Sequence, residues 1–402
     1  MKITKKLTAA ALAAVVMTSA CVSTLNASAA TSSFQTGQST TLEAVYDKLD
    51  STTEYLLSLS TSSAGVFGNE WYMFGLARNG KMTDELASSY KASVEAYVAE
   101  LGSSKLSETK STENSRLIIA LSSLGIDARD VSGYDLTEPY ADFEYIQKQG
   151  INGPVYALIA LDTFGYEIPT DSTVSQQTTR EKLIDYVLSK ALENGGWTFW
   201  GSTADPDMTG MAIQSLAPYY NTNENVKKAV DKALAVLSDM QNENGGFASW
   251  GTVNSESCAQ ALCALTSLGI DPASDTSFVK NGNSTVDAIL SFGCENGFKH
   301  IASGKYNQMA TDQAYYALTS YVRLSEDKTT LYDMSDVSPV SVKYDINDDG
   351  ELNIKDTTAI QKFLSQTDSL TSIQIARADV NGDGKVAVKD ATFLRKHLAS
   401  AK

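Results

Sequence analysis

A glycine turn ending in an aromatic residue recurs at a near-fixed interval and constrains this chain's fold more than any other feature. Asn194-Gly195-Gly196-Trp197, Asn244-Gly245-Gly246-Phe247 and Asn296-Gly297-Phe298 place their aromatic residues 50 and 51 positions apart. After each comes a polar turn, then a small-residue stretch with helical spacing, at residues 209–216, 258–265 and 311–318. Similar stretches end near Leu76, Leu121 and Leu161. A period of this length marks units that bury their apolar faces only against each other. Six such helices, each paired with a more amphipathic one such as 226–242, predict an all-α fold. It is a closed ring of helical hairpins over residues 41–333, with Ala212, Ala261 and Ala264 in the crowded inner layer. The Gly pairs are expected to stop the outer helices, because Gly tolerates left-handed backbone.

The pattern resembles the α/α-toroid superfamily of terpene cyclases, protein prenyltransferase β subunits and cobalamin-binding proteins. Gln241-Asn-Glu-Asn-Gly245-Gly-Phe247 is similar to the Gln-x-x-x-Gly-x-aromatic repeat of squalene cyclases. The family chemistries do not carry over. A cyclase acid would lie in Asp-x-Asp-Asp, but here Asp205-Pro-Asp207-Met208 lacks the last acid, and Asp207 is expected to cap the following helix. A prenyltransferase zinc needs Asp, Cys and His from successive repeats. Glu256-Ser-Cys258 and Thr311-Asp312 offer no His, so zinc is not expected.

What remains is a set of acids and aromatics where turns enter inner helices. Asp205, Asp207, Glu256 and Asp312 are the candidate catalytic acids, with helix capping as the structural alternative. Trp200 and Trp250 occupy equivalent places, and Trp71 lies near the first inner helix; these are the candidate substrate-binding residues. Tryptophan faces beside carboxylates suit a sugar ring, through stacking and acid/base work. Trp197, Phe247 and Phe298 are expected to pin repeat to repeat. An enzyme here would be, in the polysaccharide context that the resemblance of the C-terminal loops described below implies, a glycoside hydrolase or a polysaccharide lyase; a non-catalytic ring binding a small ligand or a protein is the alternative.

The C-terminal residues hold two acidic loops 34 positions apart. The first carries Asp345, Asn347, Asp349, Gly350, Glu351, Asn353 and Asp356; the second carries Asp379, Asn381, Asp383, Gly384, Lys385, Ala387 and Asp390. Oxygen ligands at loop positions 1, 3, 5 and 12 with Gly at 6 suit Ca2+, and position 7 (Glu351, Lys385) binds through its carbonyl. A helix follows each loop, and no amphipathic helix enters the first, unlike an EF-hand. The unit resembles a type I dockerin over residues 343–402, a small calcium-binding module of two loop–helix repeats after a 334–342 linker. The resemblance implies two Ca2+ ions and a scaffoldin cohesin as partner. It also implies contact through Ile354, Lys355 and Lys362 in one half and Val388, Lys389, Arg395 and Lys396 in the other.

Lys2, Lys5 and Lys6, an apolar run over 7–17 and Ala27-Ser-Ala-Ala30 form the pattern of a signal peptide over residues 1–30, implying a secreted, extracellular protein of a cell-surface cellulosome. No other stretch is apolar and long enough to span a membrane. Removing residues 1–30 takes away three Lys and no acid, so the formal charge of −16 becomes −19. Such acidity disfavours nucleic acid. Polysaccharide is the ligand class that the dockerin context implies. Cys258, Cys263 and Cys294 are expected to be small buried residues rather than a disulfide framework.

Overall fold

The computed structural model describes residues 38–59, 69–338, 344–347, 352–370 and 372–400. The expected signal peptide lies outside the described residues. The chain divides into a first compact unit ending at Asp336 and a second beginning at Val337.

Twelve α-helices alternate along the described residues of the first unit. They are α1 (Gln38–Ser58), α2 (Asn69–Arg78), α3 (Asp84–Leu101), α4 (Ser111–Ser123), α5 (Phe143–Gln147) and α6 (Asn152–Asp162). There follow α7 (Arg180–Ser189), α8 (Pro206–Leu216), α9 (Glu224–Met240), α10 (Ser255–Ser267), α11 (Thr285–Ser291) and α12 (Gln308–Ser325). The even-numbered helices touch in sequence, α2 to α4 and on to α12, and α12 returns to α2, closing a ring of six. Of the odd-numbered helices, α5 and α7 back onto α6, α9 onto α8, α11 onto α10 and α1 onto α12.

Burial separates the two layers. Inner helix α10 buries Ser255 and every residue from Ser257 to Thr266, which is why its side chains are small. Outer helix α9 buries only Val226, Val230, Ala233 and Leu237, one stripe at helical spacing.

The Gly pairs do not stop the outer helices. Helix α7 is capped by Lys190 and α9 by Gln241. The glycines lie in the turns beyond, where Gly195 N–H donates to Leu192 and Gly245 N–H to Asn242. Gly245 has φ +78°, and a Cβ there would sit 2.2 Å from the Ser284 carbonyl oxygen, so both backbone shape and close approach demand glycine. Gln241 holds this turn, its Nε2 donating to the carbonyls of Gly245 (3.0 Å) and Phe278 (2.8 Å).

Short antiparallel hairpins join the layers: β1 (Ala248–Ser249) with β2 (Thr252–Val253), β3 (Val279–Lys280) with β4 (Asn283–Ser284), and β5 (Gly293–Cys294) with β6 (Gly297–Phe298). At the C-terminal end of the inner helices a strap crosses the ring. Arg78 Nε donates to the Leu331 carbonyl (2.8 Å), Met334 N–H to that of Thr163 (3.1 Å), and both Arg78 and Arg323 reach Asp336. Tyr332 stacks on Phe74 with centroids 5.2 Å apart. Residues 334–336, which the sequence pattern places in a linker, therefore pack on the ring.

The second unit contains α13 (Ile354–Leu364), α14 (Ser372–Ala378) and α15 (Val388–Ser400). Its core of Ile346, Ile360, Ala378, Val380, Ala391 and Leu394 repeats at the loop interval, Ile346 answering Val380 and Ile360 answering Leu394.

Candidate active site

One register organises the N-terminal ends of α8, α10 and α12. The backbone N–H of Trp197 donates to Thr209 Oγ1 (3.0 Å), that of Phe247 to Cys258 Sγ (3.3 Å) and that of Phe298 to Thr311 Oγ1 (2.9 Å). Trp197, Phe247 and Phe298 are fully buried, so each turn is pinned to the helix after it. Four residues before each anchor stands the N-cap: Asp205, Asn254 and Asn307 accept from the N–H groups of Met208, Ser257 and Ala310.

Two positions flanking each anchor line a common cleft. Two residues before the anchor stand Asp207, Glu256 and Met309; two residues after it stand Met211, Gln260 and Gln313. All six line one cleft of about 600 Å³. Asp207 is therefore not the cap, as its place at the helix start suggests; Asp205 holds that role. Asp205 also accepts from Ser249 Oγ (2.8 Å), fixing the β1–β2 hairpin over α8, and it does not line the cleft.

Asp312 stands one residue after its anchor, where the neighbouring repeats have Gly210 and Ala259. That position faces the next helix: a Cβ on Gly210 would lie 2.6 Å from the Gln260 carbonyl oxygen. Asp312 is accordingly buried outside the cleft. Its Oδ1 accepts from Gln308 Nε2 (2.6 Å), and its Oδ2 has no hydrogen-bond partner among the described residues. Burial, with Glu70 nearby, pushes its carboxyl well above the usual range.

The cleft brings Asp207 and Glu256 together with Trp71 and Trp250. Burial, with Asp205 and Glu256 adding repulsion, pushes the Asp207 carboxyl up to about 6, against a hydrogen bond from Ser257 Oγ (3.1 Å). Glu256 Oε2 pairs with His300 Nδ1 at 2.8 Å, so His300, in the loop after β6, orients a cleft carboxylate. Gln260 forms the floor, donating to Gln313 Oε1 and Tyr316 Oη, each at 2.8 Å. The signal for this floor was present in the sequence: Gln260 and Gln313 share one place in the repeat.

Trp71 packs at 6.0 Å from both Tyr156 and Tyr316, forming an aromatic wall. Trp250 is 91 % exposed at the tip of the β1–β2 hairpin. Its φ of +53°, followed by Gly251 at +80°, is a turn geometry that favours Asn-Gly. A tryptophan there costs roughly 1–2 kcal/mol of backbone strain. Trp200 is 73 % exposed, sits edge-on to Phe199 at 5.0 Å and does not line the cleft.

Cys258 occupies the place that Thr209 and Thr311 fill in the neighbouring repeats. Burial pushes its thiol up to about 12, so it is held as a neutral acceptor for a backbone N–H. Cys263 is buried likewise and Cys294 half-buried in β5; all three are free thiols.

In the second unit, Asp356 Oδ1 accepts from the N–H groups of Ile346 and Asn347, and its Oδ2 from Asn353. Asp390 takes the same part, accepting from Asn381 and Ala387. Asp379, Asn381 and Asp383 accept from loop N–H groups of residues 383–385. Asp345 is buried; Asp349 and Glu351 lie outside the described residues. No group of three acids, His or Cys that could hold a metal forms among the described residues. The side-chain donors of both loops are hard oxygens, a set that fits Ca2+ rather than a soft ion. Ile354 (59 % exposed) with Lys355 opens α13, and Val388 (71 %) with Lys389 opens α15; Lys362, Arg395 and Lys396 are exposed along the same helices.

No helix among the described residues is long and apolar enough to cross a membrane. No curated protein matches the chain. Among solved structures, the chain is similar to the unsaturated glucuronyl hydrolase from Bacillus sp. GL1, responsible for the degradation of glycosaminoglycan, at 12 % identity and a TM-score of 0.49. That likeness covers 73 % of this chain and 99 % of the other. Residues 343–399 match the family described as Dockerin type I domain, and the chain carries a type I dockerin over those residues.

Proposed function

We propose that this is an extracellular cellulosome component whose ring hydrolyses a plant polysaccharide while its dockerin holds it on a scaffoldin cohesin. In this reading Ca2+ in both loops sets the dockerin's shape, and the signal peptide exports the chain. The observation that carries the catalytic part is the pairing of Asp207, with its proton held to about pH 6, and Glu256 in one cleft with Trp71 and Trp250. A protonated Asp207 gives its proton to the glycosidic oxygen as the C–O bond breaks. Water then adds at the anomeric carbon, its proton going to Glu256, which His300 orients. Trp250 stacks the sugar at the rim. A lyase fits less well, since elimination beside a uronate needs a cation and, among the described residues, no Lys or Arg lines the cleft.

The test is reducing-end release by the purified chain from a panel of plant polysaccharides. Asp207→Asn should lower the rate by about 10²–10⁴-fold. Full activity in that variant would overturn the assignment. The exposure of Trp200 and Trp250 also suits a non-catalytic glycan-binding ring, whose signature is binding of the same polysaccharide with no release.

A further inference from the structure

We infer that the cleft takes an uncharged glycan and excludes chains bearing carboxylates, an inference that rests on the glycan reading above. Asp207 and Glu256 line the cleft, and Asp205 is the N-cap two residues before Asp207. None of the lining residues is Lys or Arg, and the one imidazole, His300, is bonded to Glu256. Lys299 and Lys305 are on the same loop as His300 but outside the lining, and Lys299 Nζ donates to the Ala302 carbonyl (3.0 Å). The segment before α2 does not supply a cation either: residues 60–68 carry no charged side chain.

The remaining polar surface is neutral. Gln260, Gln313, Asn254 and Thr252 offer amides and a hydroxyl. Gln214 Nε2 donates to Gln260 Oε1 (3.0 Å), and Gln260 donates onward to Gln313 and Tyr316. A floor of mutually bonded amides matches hydroxyl groups, which both donate and accept. A uronate placed on it would lose hydration, meet no counter-charge and face two carboxyl groups. An uncharged sugar ring loses little by the same transfer and gains the faces of Trp71 and Trp250.

The experiment uses the full chain in calorimetric titrations with matched oligosaccharide pairs at low salt. The pairs are cellohexaose against the β-1,4-glucuronan hexamer, mannohexaose against the β-1,4-mannuronan hexamer, and xylohexaose against the same chain with a glucuronic acid branch. The uncharged member of at least one pair should bind about tenfold or more tighter than its charged twin. The gap should narrow when salt rises to about 0.5 M, where screening shortens to a few ångströms. It should also narrow in the Asp207→Asn, Glu256→Gln double variant. Equal or tighter binding of the charged twin in every pair that binds would overturn the inference and leave the glycan reading intact. Failure of every oligosaccharide to bind would remove the glycan reading, and the inference with it.

Discussion

Ser257 Oγ donates to Asp207 Oδ2 at 3.1 Å, joining two neighbouring inner helices of the ring. This bond favours the ionised carboxylate, while burial favours the acid, and burial wins. Activity that needs the Asp207 proton should fall as pH rises through about 6. Ser257→Ala removes the donor, so the falling limb of the pH–rate profile should move to higher pH. An unmoved limb would separate Asp207 from the rate.

The same shift bears on stability. The folded Asp207 holds its proton more tightly than the unfolded chain, where an aspartate titrates near about 4. The stabilisation, on the order of 3 kcal/mol, is complete below about pH 4 and lost as pH rises through about 6. Buried Asp312 acts in the same direction. Asp312→Asn should raise stability at pH 8 relative to wild type and flatten its decline between pH 5 and 8, measured by urea unfolding. Parallel curves for the two proteins would contradict the buried, protonated state.

Trp250 combines strained backbone with near-total exposure, so fold stability does not account for it. Trp250→Asn restores the residue this turn favours and should stabilise the protein by about 1 kcal/mol. The same variant should weaken glycan binding several-fold. Loss of stability with unchanged binding would make Trp250 a structural residue.

Cys258 should be replaceable by Thr, the residue at this place in the neighbouring repeats, within about 1 kcal/mol. Cys258→Val leaves the buried Phe247 N–H unpaired and should cost about 1–3 kcal/mol. Thermal unfolding orders the two. Stoichiometric zinc in the purified protein, lost in Cys258→Thr, would show that the thiol is a ligand instead.

The two dockerin halves expose matching contact pairs, Ile354–Lys355 and Val388–Lys389. Either pair should seat the same cohesin. Ile354→Asp with Lys355→Asp should then lower affinity by less than about tenfold, while the four-site variant abolishes binding. Chelating Ca2+ should abolish it in the wild type, with proteolytic nicking confined to residues 343–402. A one-half variant that fails as completely as the four-site variant would leave a single docking face.

The ring and the dockerin were legible because each is written as a period. Spacing alone puts Trp197, Phe247 and Phe298 in one structural place, and Asp356 with Asp390 in another, since a repeated local pattern must repeat its local structure. The candidate acids could be listed from the sequence but not sorted. Asp205, Asp207 and Asp312 all lie within the first turns of their helices, and a one-residue step on a helix rotates a side chain by about 100°. That rotation made Asp205 a cap, turned Asp207 into the cleft and buried Asp312 against a neighbouring helix. Pairing Asp207 with Glu256 needs contact between helices that start 49 residues apart, and orienting His300 onto Glu256 needs a loop from the next repeat. Those relationships belong to ring closure, where separate segments meet, and no local pattern in the chain encodes them.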